Sequence, residues 1–209
     1  MRRASTHPAF RQALQRITST FWVVALSGTV HAGTLGLPDN TARIGYAAGP
    51  AYVLIDEAHS APNQAWSMSQ SLIYTDWFLA GTRYWATLRY QQADFDAGVG
   101  KIGAHLTSYG GRLSVQHNFR VAKNFAPWLG AGIDLSQIHY SRRHTVDVDG
   151  YLVETFPSRT TLNTGLVVNA THEWSFGRAF HIDTQLEQLL SVNDTVRETT
   201  LWASLLYRY

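Results

Sequence analysis

Alternation of apolar and mostly polar side chains over residues 195–209 constrains the fold of this chain more than any other feature of its sequence. In an extended chain, one side of this segment would carry Leu201, Ala203, Leu205, Tyr207 and Tyr209. The other side would be mostly polar, with Glu198, Thr200, Trp202, Ser204, Leu206 and Arg208. A period of two residues predicts a β-strand. One apolar face and aromatic residues at the strand end are typical of a transmembrane β-barrel.

Seven earlier segments repeat this alternation. They cover residues 41–56, 66–75, 81–93, 104–119, 126–140, 160–174 and 179–190. Each is long enough for a tilted strand that crosses a bilayer. The connectors between them alternate in length, with short ones at 76–80, 120–125 and 175–178 and longer ones at 57–65, 94–103 and 141–159. Short periplasmic turns and long external loops characterise bacterial barrels. The sequence therefore predicts an all-β fold, an eight-stranded antiparallel up-and-down transmembrane β-barrel.

Aromatic residues cluster beside the short turns and the chain end, which predicts a girdle at one membrane interface. They are Tyr46, Tyr74, Trp77, Phe78, Phe119, Phe125, Trp128, Trp174, Phe176, Phe180, Tyr207 and Tyr209. A looser second girdle is expected near the long loops, from Trp66, Tyr90, Phe95 and Tyr140.

The polar faces of the strands decide between a transmembrane barrel and a soluble one. A soluble barrel such as a lipocalin would place its apolar face inside. Here the polar faces are rich in Gly, Ser, Thr and Asn with single charges, unlike a solvated Lys/Glu coat. Eight strands leave an interior that side chains fill. We therefore expect a plugged lumen in which basic and acidic residues pair, formed by Arg43, Arg89, Arg112, Asp134, Glu173, Asp183, Glu187, Glu198 and Arg208.

The N-terminal region resembles a secretory signal. Residues 1–32 combine a basic start, a short apolar run at 21–26 and a small-residue cleavage site that ends at Ala32, which predicts a helical signal peptide before a barrel of residues 33–209. The Lys and Arg residues of that leader are all arginines, and without them the rest of the chain has 13 basic and 15 acidic residues. The barrel therefore offers no basic field for nucleic acid. The absence of cysteine excludes disulfides and thiolate metal sites, and no cofactor is expected.

The segment from Phe125 to Ile133 adds a family resemblance to these patterns. Its sequence, FAPWLGAGI, resembles the aromatic-Pro-aromatic-x-Gly-x-Gly strand start of small outer-membrane barrels of the OmpA-transmembrane, OmpX and opacity type. The terminal aromatic strand also resembles the C-terminal signal of Gram-negative outer-membrane proteins. The resemblance implies an outer-membrane location, assembly by the barrel-assembly machinery through the last strand, and a non-enzymatic role in envelope integrity or surface interaction. A monomer is expected.

Two groups of residues are candidates for an alternative, chemical function: one for catalysis and one for metal binding. His139-Tyr140-Ser141 resembles the His-x-Ser of outer-membrane lipid A deacylases, with Glu154 as the acid, although Arg142 replaces the asparagine of that motif. A Ser nucleophile would need the His as its base and an acid that orients the His. His181, Asp183 and Glu187 share a strand face. However, they would span roughly 20 Å by strand rise, so no metal site is expected.

The remaining hypotheses concern lipids and small hydrophobic molecules. Arg142, Arg143 and Arg159 lie in or beside the longest predicted loop and are candidates for contact with lipopolysaccharide phosphates. Gly49-Pro50 predicts a bulge or an irregular edge in the first strand. An alternative function is therefore a conduit for small hydrophobic molecules that leave sideways through the wall at that point.

Overall fold

The computed structural model describes residues 42–56, 60–119, 126–176, 179–192 and 196–209. Nine strands form within these residues, and we number them in chain order. They are β1 (Arg43–Ile55), β2 (Asn63–Leu79), β3 (Thr82–Phe95), β4 (Gly103–Asn118), β5 (Trp128–Val146), β6 (Leu152–Phe156), β7 (Arg159–Phe176), β8 (Phe180–Ser191) and β9 (Arg197–Arg208). The predicted signal peptide, residues 1–32, lies outside the described residues.

Eight of the strands close into an antiparallel barrel. The sheet order is β4-β3-β2-β1-β9-β8-β7-β5-β6, and β4 also pairs with β5, which closes the ring and leaves β6 as an appendage of β5. The last strand therefore pairs with the first one, through partners such as Tyr46 and Leu205. The prediction of an all-β, eight-stranded up-and-down barrel is confirmed. The described residues contain no helix that is long and apolar enough to cross a membrane.

The apolar faces of the strands point away from the barrel axis. Ile133 is 61% exposed and Leu166 is 55% exposed on the outer wall, whereas Arg112 and Glu187 on the inner wall are 5% and 4% exposed. An apolar exterior of this kind suits contact with lipid, and the paired interior keeps charges away from it. The transmembrane orientation is thus confirmed, and the lipocalin-like alternative is wrong.

Several strand boundaries differ from the predicted ones. β2 continues to Leu79 through the predicted turn 76–80, so the connection to β3 consists of Ala80 and Gly81. Gly81 has φ of 70°, a left-handed conformation that glycine adopts without a steric cost. The predicted loop 141–159 contains the end of β5 and all of β6. These segments are less regular in hydrophobicity, so a period of two residues did not reveal them.

The expected irregularity at Gly49-Pro50 is confined to one side of β1. Both residues continue the ladder to β2, opposite Ser69 and Met68. On the β9 side, pairing is interrupted at these two positions and resumes in the same register at Ala51. Proline has no N–H to donate, which explains the gap in hydrogen bonding. The predicted bulge is therefore wrong, and the predicted irregular edge is present.

Four aromatic residues that the sequence assigns to the girdles point into the barrel. Phe95 and Tyr140 are 4% and 1% exposed and belong to an interior cluster, so their assignment to the second girdle is wrong. Trp77 and Trp128 pack against each other with ring centroids 5.9 Å apart. Both lie beside lumen arginines. Alternation places these residues on the inner face, and the aromatic girdle pattern misassigned them.

Candidate functional site

The middle of the lumen holds a cluster of two arginines and three carboxylates, which we call the central charge cluster. Arg112 Nε lies 2.7 Å from Asp134 Oδ1, and Arg112 also donates to Glu187 Oε1. Arg89 donates to Glu198, whose Oε1 lies 3.5 Å from Arg112 NH2. All five side chains are at most 4% exposed. Because each charge has an opposite partner, the cluster avoids the cost of an unpaired buried ion.

A second cluster lies toward the end of the barrel at which β1 begins and β9 ends. The short turn between β2 and β3 lies at the same end and marks it as periplasmic, so we call this group the periplasmic charge cluster. Glu173 Oε2 accepts a hydrogen bond from Arg83 NH1 at 3.0 Å, and Glu173 Oε1 forms an ion pair with Arg43 NH1 at 2.8 Å. Arg83 NH2 also lies 3.5 Å from Asp183 Oδ2. His181 Nδ1 lies 3.1 Å from Glu173 Oε1. The cluster connects β1, β3, β7 and β8 across the lumen.

Arg83 is the central residue that the sequence analysis missed. Its side chain is fully buried, and the guanidinium lies 4.1 Å from the ring centroid of Trp128 and 4.7 Å from that of Trp85. Stacking between a desolvated guanidinium and tryptophan is favourable by about 2 kcal/mol. Arg83 shares strand parity with Arg89, so extending the period-two pattern through the whole segment would have found it.

Arg208, the last residue predicted for the lumen network, lies at the terminal edge of the barrel. It is half-buried and lies opposite Arg43 in the ladder between β1 and β9. Its backbone N–H donates to the carbonyl of Ala179 at 2.8 Å. The structure therefore places it at the periplasmic rim, beside Arg43 of the periplasmic charge cluster.

The extracellular half of the lumen contains an apolar cluster beside a few buried polar residues such as Asn63 and Gln91, which the sequence analysis did not predict. The apolar cluster is buried, and we call it the apolar layer: Ala51, Val53, Ile55, Ala65, Ala93, Phe95, Ala104, Leu106, Ile138, Tyr140 and Val196. β1 contributes three of these residues while its outer face is also apolar. A strand that is apolar on both faces shows no alternation, so its inner face could not be identified from the period of two residues.

A small cavity lies beside Glu187 of the central charge cluster. It has a volume of about 10 Å³ and is lined by Ser71, Thr87, Gln185, Glu187, Trp202 and other residues. This volume is close to the minimum that one water molecule needs. In the described part of the chain, the two charge clusters and the apolar layer therefore fill successive levels of the lumen with buried side chains.

The predicted catalytic residues do not assemble. His139 and Ser141 share the outer face of β5, but the His139 Nδ1 lies 2.9 Å from the hydroxyl of Thr160. Ser141 donates to the backbone carbonyl of His105 at 3.4 Å. Glu154 is exposed on β6 opposite Thr145, six residues along β5 from His139. Six residues of strand span about 20 Å, so Glu154 does not orient His139.

The described residues also contain no group of three or more His, Asp and Glu that could hold a metal ion. His181 and Asp183 belong to the periplasmic charge cluster, whereas Glu187 belongs to the central one. The strand spacing of these three residues therefore separates them as the sequence analysis expected.

The three arginines proposed for lipopolysaccharide contact point in different directions. Arg142 is exposed, and its NH2 lies 3.0 Å from the Asp94 carboxylate on the outer wall. Arg143 donates to the carbonyl of Pro157 at 3.0 Å. Arg159 stacks over the ring of Tyr140, 4.6 Å from its centroid, at the mouth of the lumen. Of the three, Arg142 is the one whose guanidinium lies on the outside of the barrel wall.

A β-bulge redirects β5 at this point. The register between β4 and β5 shifts between Gly103 and His105, so that β5 has one extra residue there. Arg142 has φ of 52°, which makes it the one non-glycine residue with positive φ among the described residues. Bulges of this kind commonly place an αL residue first and change the direction of the strand. The bulge directs Arg142 outward, and the hairpin of β5 and β6 begins there.

The tip of this hairpin is rigidly built and yet apolar. Asp147 Oδ1 accepts from the backbone N–H groups of Asp149 at 3.0 Å and Tyr151 at 2.8 Å, and Gly150 has φ of 83°. Four large apolar residues at or beside the turn are nevertheless strongly exposed: Val148 (83%), Tyr151 (73%), Leu152 (63%) and Val153 (64%). Exposed apolar patches of this kind mark interaction sites in soluble regions of proteins.

Comparison with known proteins identifies the fold. No protein-family model matches the chain, and no curated protein matches it significantly. The outer membrane protein AlkL in lipid bilayers is similar with a TM-score of 0.50 and 11% identity, over 88% of this chain and 98% of AlkL. Ail, the attachment invasion locus protein of Yersinia pestis, has a TM-score of 0.49 and 16% identity over 81% of this chain and 99% of Ail. Neisserial surface protein A has a TM-score of 0.49 and 15% identity, over 80% and 97%.

These similarities are those of fold. The chain has the fold of the small eight-stranded outer-membrane barrels. An apolar outer wall with a paired polar interior fits the same class. The prediction of an integral outer-membrane β-barrel is therefore confirmed, and its wall contacts membrane lipid.

Proposed function

We propose that this outer-membrane barrel has a non-enzymatic role in envelope integrity or surface interaction, with its lumen closed to solutes. The observation that carries the proposal is the filling of the lumen by two charge clusters and an apolar layer. A channel must offer a continuous polar path, and here an apolar layer interrupts it. A closed barrel leaves the outer wall and the extracellular hairpin as its working surfaces.

Planar-bilayer recording tests the closed lumen. The purified barrel is expected to be silent, while a variant that opens the apolar layer, Phe95→Gly with Leu106→Gly, provides a comparison. These two residues fill the lumen from neighbouring strands. Steady ion conductance by the wild-type barrel would contradict the proposal.

Lipopolysaccharide is the partner that we propose for the outer wall. Arg142 is exposed beside the polar end of β5, where phosphates of the outer leaflet would lie, and guanidinium groups bind phosphate with two parallel hydrogen bonds. Arg143 and Arg159 remain candidates at the base of the hairpin. We further propose that the barrel is a monomer and that β9 presents the assembly signal.

Binding to lipid A in vesicles tests this partner. Arg142→Gly removes the guanidinium and suits the left-handed backbone at this position. We expect weaker retention of bisphosphorylated lipid A by this variant and no change for Lys101→Gln, an exposed cation in the β3–β4 connection. Equal retention of phosphorylated and dephosphorylated lipid A by the wild-type barrel would contradict the proposal.

A conduit for small hydrophobic molecules is the second candidate. The apolar layer and the interrupted pairing of β1 with β9 at Gly49 and Pro50 favour it. The close backbone approach disfavours it, because a Cβ added at Gly49 would lie 1.8 Å from the carbonyl oxygen of Leu201. Uptake of an alkane by cells with and without the barrel separates the two functions, and faster uptake with the barrel would favour the conduit.

Deacylation of lipid A is the enzymatic alternative, and Ser141→Ala tests it. Because Glu154 and His139 lie apart, we expect the acylation pattern of lipid A in cells to be the same with the wild-type and the Ser141→Ala barrel. Loss of an acyl chain that depends on Ser141 would establish the enzyme.

A further inference from the structure

The outer edge of β6 has the properties of a docking edge for a peptide strand. β6 comes last in the sheet order, and β5 is the strand with which it pairs among the described residues. Leu152 and Val153 are adjacent in the sequence and both strongly exposed, so apolar side chains project from both faces of the strand. An edge with free backbone groups and exposed apolar residues is a template for an added strand.

The hairpin is fixed in shape before any partner arrives. Asp147 closes the turn with its side chain, and Arg143 holds the base through the carbonyl of Pro157 and the ring of Phe156. Rigidity of this kind reduces the entropy that binding would otherwise lose. The exposed ion pair between Arg142 and Asp94 lies at the base of the hairpin. Charged groups avoid the hydrocarbon layer, so the hairpin beyond them lies in the aqueous space, where lipid chains do not cover its apolar residues.

The charge of Glu154 indicates which kind of strand can pair with the outer edge of β6. Glu154 is the middle residue of β6 and is exposed. Two copies of β6 in antiparallel pairing about this residue would place one Glu154 against the other, and like charges directly opposite each other are destabilising. A second copy of the chain is therefore disfavoured, whereas a strand with a basic residue at the central position is complementary.

We propose that β6 binds an extended segment of a partner protein as an added antiparallel strand, with a basic residue of that segment opposite Glu154. The proposal rests on the proposed role in surface interaction and names its partner class. Main-chain hydrogen bonds would supply affinity, and side chains at alternate positions would supply specificity. β6 has five residues and spans about 16 Å by strand rise, so the contact is a short one suited to reversible binding.

Two synthetic peptides test the proposal with the full barrel in lipid nanodiscs. Both are nine-residue strands that alternate threonine and valine, and they differ in a central lysine or a central glutamate. By fluorescence anisotropy, the wild-type barrel should bind the lysine peptide about threefold to tenfold more tightly. Glu154→Lys should reverse this preference. Asp149→Lys makes the same charge change at the turn of the hairpin, off the β6 edge, and should leave the preference as in the wild type.

Main-chain pairing is tested with N-methylated forms of the lysine peptide. Of two peptides methylated at alternate sets of amides, one should lose binding and the other should retain it, because alternate amides of a strand face opposite edges. An unchanged preference in Glu154→Lys, equal binding of both methylated peptides, or self-association of the wild-type barrel through the hairpin would overturn the proposal. Heat-modifiable gel mobility confirms that each variant is folded.

The peptide-binding experiment tests the docking edge independently of the closed lumen. A barrel that conducts ions but selects the lysine peptide through Glu154 would refute the closed lumen and leave the docking edge in place. A silent barrel without this selection would refute the docking edge alone.

Discussion

Removal of Arg112 should destabilise the barrel more than any change at its surface. Arg112 contacts three carboxylates, those of Asp134, Glu187 and Glu198, whose side chains are 1%, 4% and 1% exposed. In Arg112→Met a side chain of similar length remains, but Arg89 alone would neutralise three buried acids. Breaking a buried ion pair by removal of one partner costs about 3–5 kcal/mol. We expect a loss of that size in the free energy of unfolding.

Urea unfolding of the barrel in lipid vesicles, followed by tryptophan fluorescence, measures this loss. A triple variant that adds Asp134→Asn and Glu187→Gln to Arg112→Met removes the excess negative charge, and should recover most of the lost stability. Lys101→Met changes an exposed cation and should shift stability by no more than about 0.5 kcal/mol. A loss below about 1 kcal/mol in Arg112→Met, or no recovery in the triple variant, would refute the argument that paired charge holds the lumen together.

Three further predictions concern the wall and the bulge. Ile133→Arg places a charge on the lipid-facing surface and should cost about 2–4 kcal/mol in the same unfolding assay; a neutral result would place this residue away from lipid. Gly132→Ala should cost about 1–3 kcal/mol, because a Cβ there would lie 2.1 Å from the carbonyl oxygen of Leu113, and unchanged stability would contradict the close approach of the strands. Arg142→Gly relieves about 1–2 kcal/mol of strain in the left-handed backbone conformation, and the exposed ion pair with Asp94 that it loses contributes less than that. The variant should therefore be slightly more stable than the wild type, whereas clear destabilisation would show that the guanidinium fixes the bulge.

The sequence predicted the wall of this barrel well because one physical rule controls it. Lipid on one side and a packed polar interior on the other impose a period of two residues, and Ile133, Leu166 and Arg112 follow that rule. A slip of one residue would move every side chain to the wrong face, so strand parity is strongly determined. The pairing of the strands could also be predicted from the sequence, because each strand of an up-and-down barrel pairs with the strands next to it in the chain.

The lumen was less predictable because the type of residue that lines it depends on the position of that residue along the barrel axis as well as on strand parity. Phe95 and Tyr140 are aromatic and lie near the strand ends, where an interface girdle is expected, yet both fill the lumen. Arg83 has the correct parity but lies close to the short turn, where the aromatic residues dominated the pattern. Contacts such as those of Arg83 with Glu173 and Asp183 join strands far apart in sequence, and no local pattern encodes them.

The hairpin is the part of the described chain where local rules and the global fold disagree most. Arg142 adopts a conformation that favours glycine, and Leu152 and Val153 are exposed beyond the lipid-facing wall. Each feature costs stability, and the barrel wall would close without any of them, because β6 takes no part in closure. Violations of this kind are expected at functional sites. The backbone strain at Arg142 and the exposed apolar side chains of Leu152 and Val153 therefore support the proposal that a partner binds at the β5–β6 hairpin rather than in the lumen.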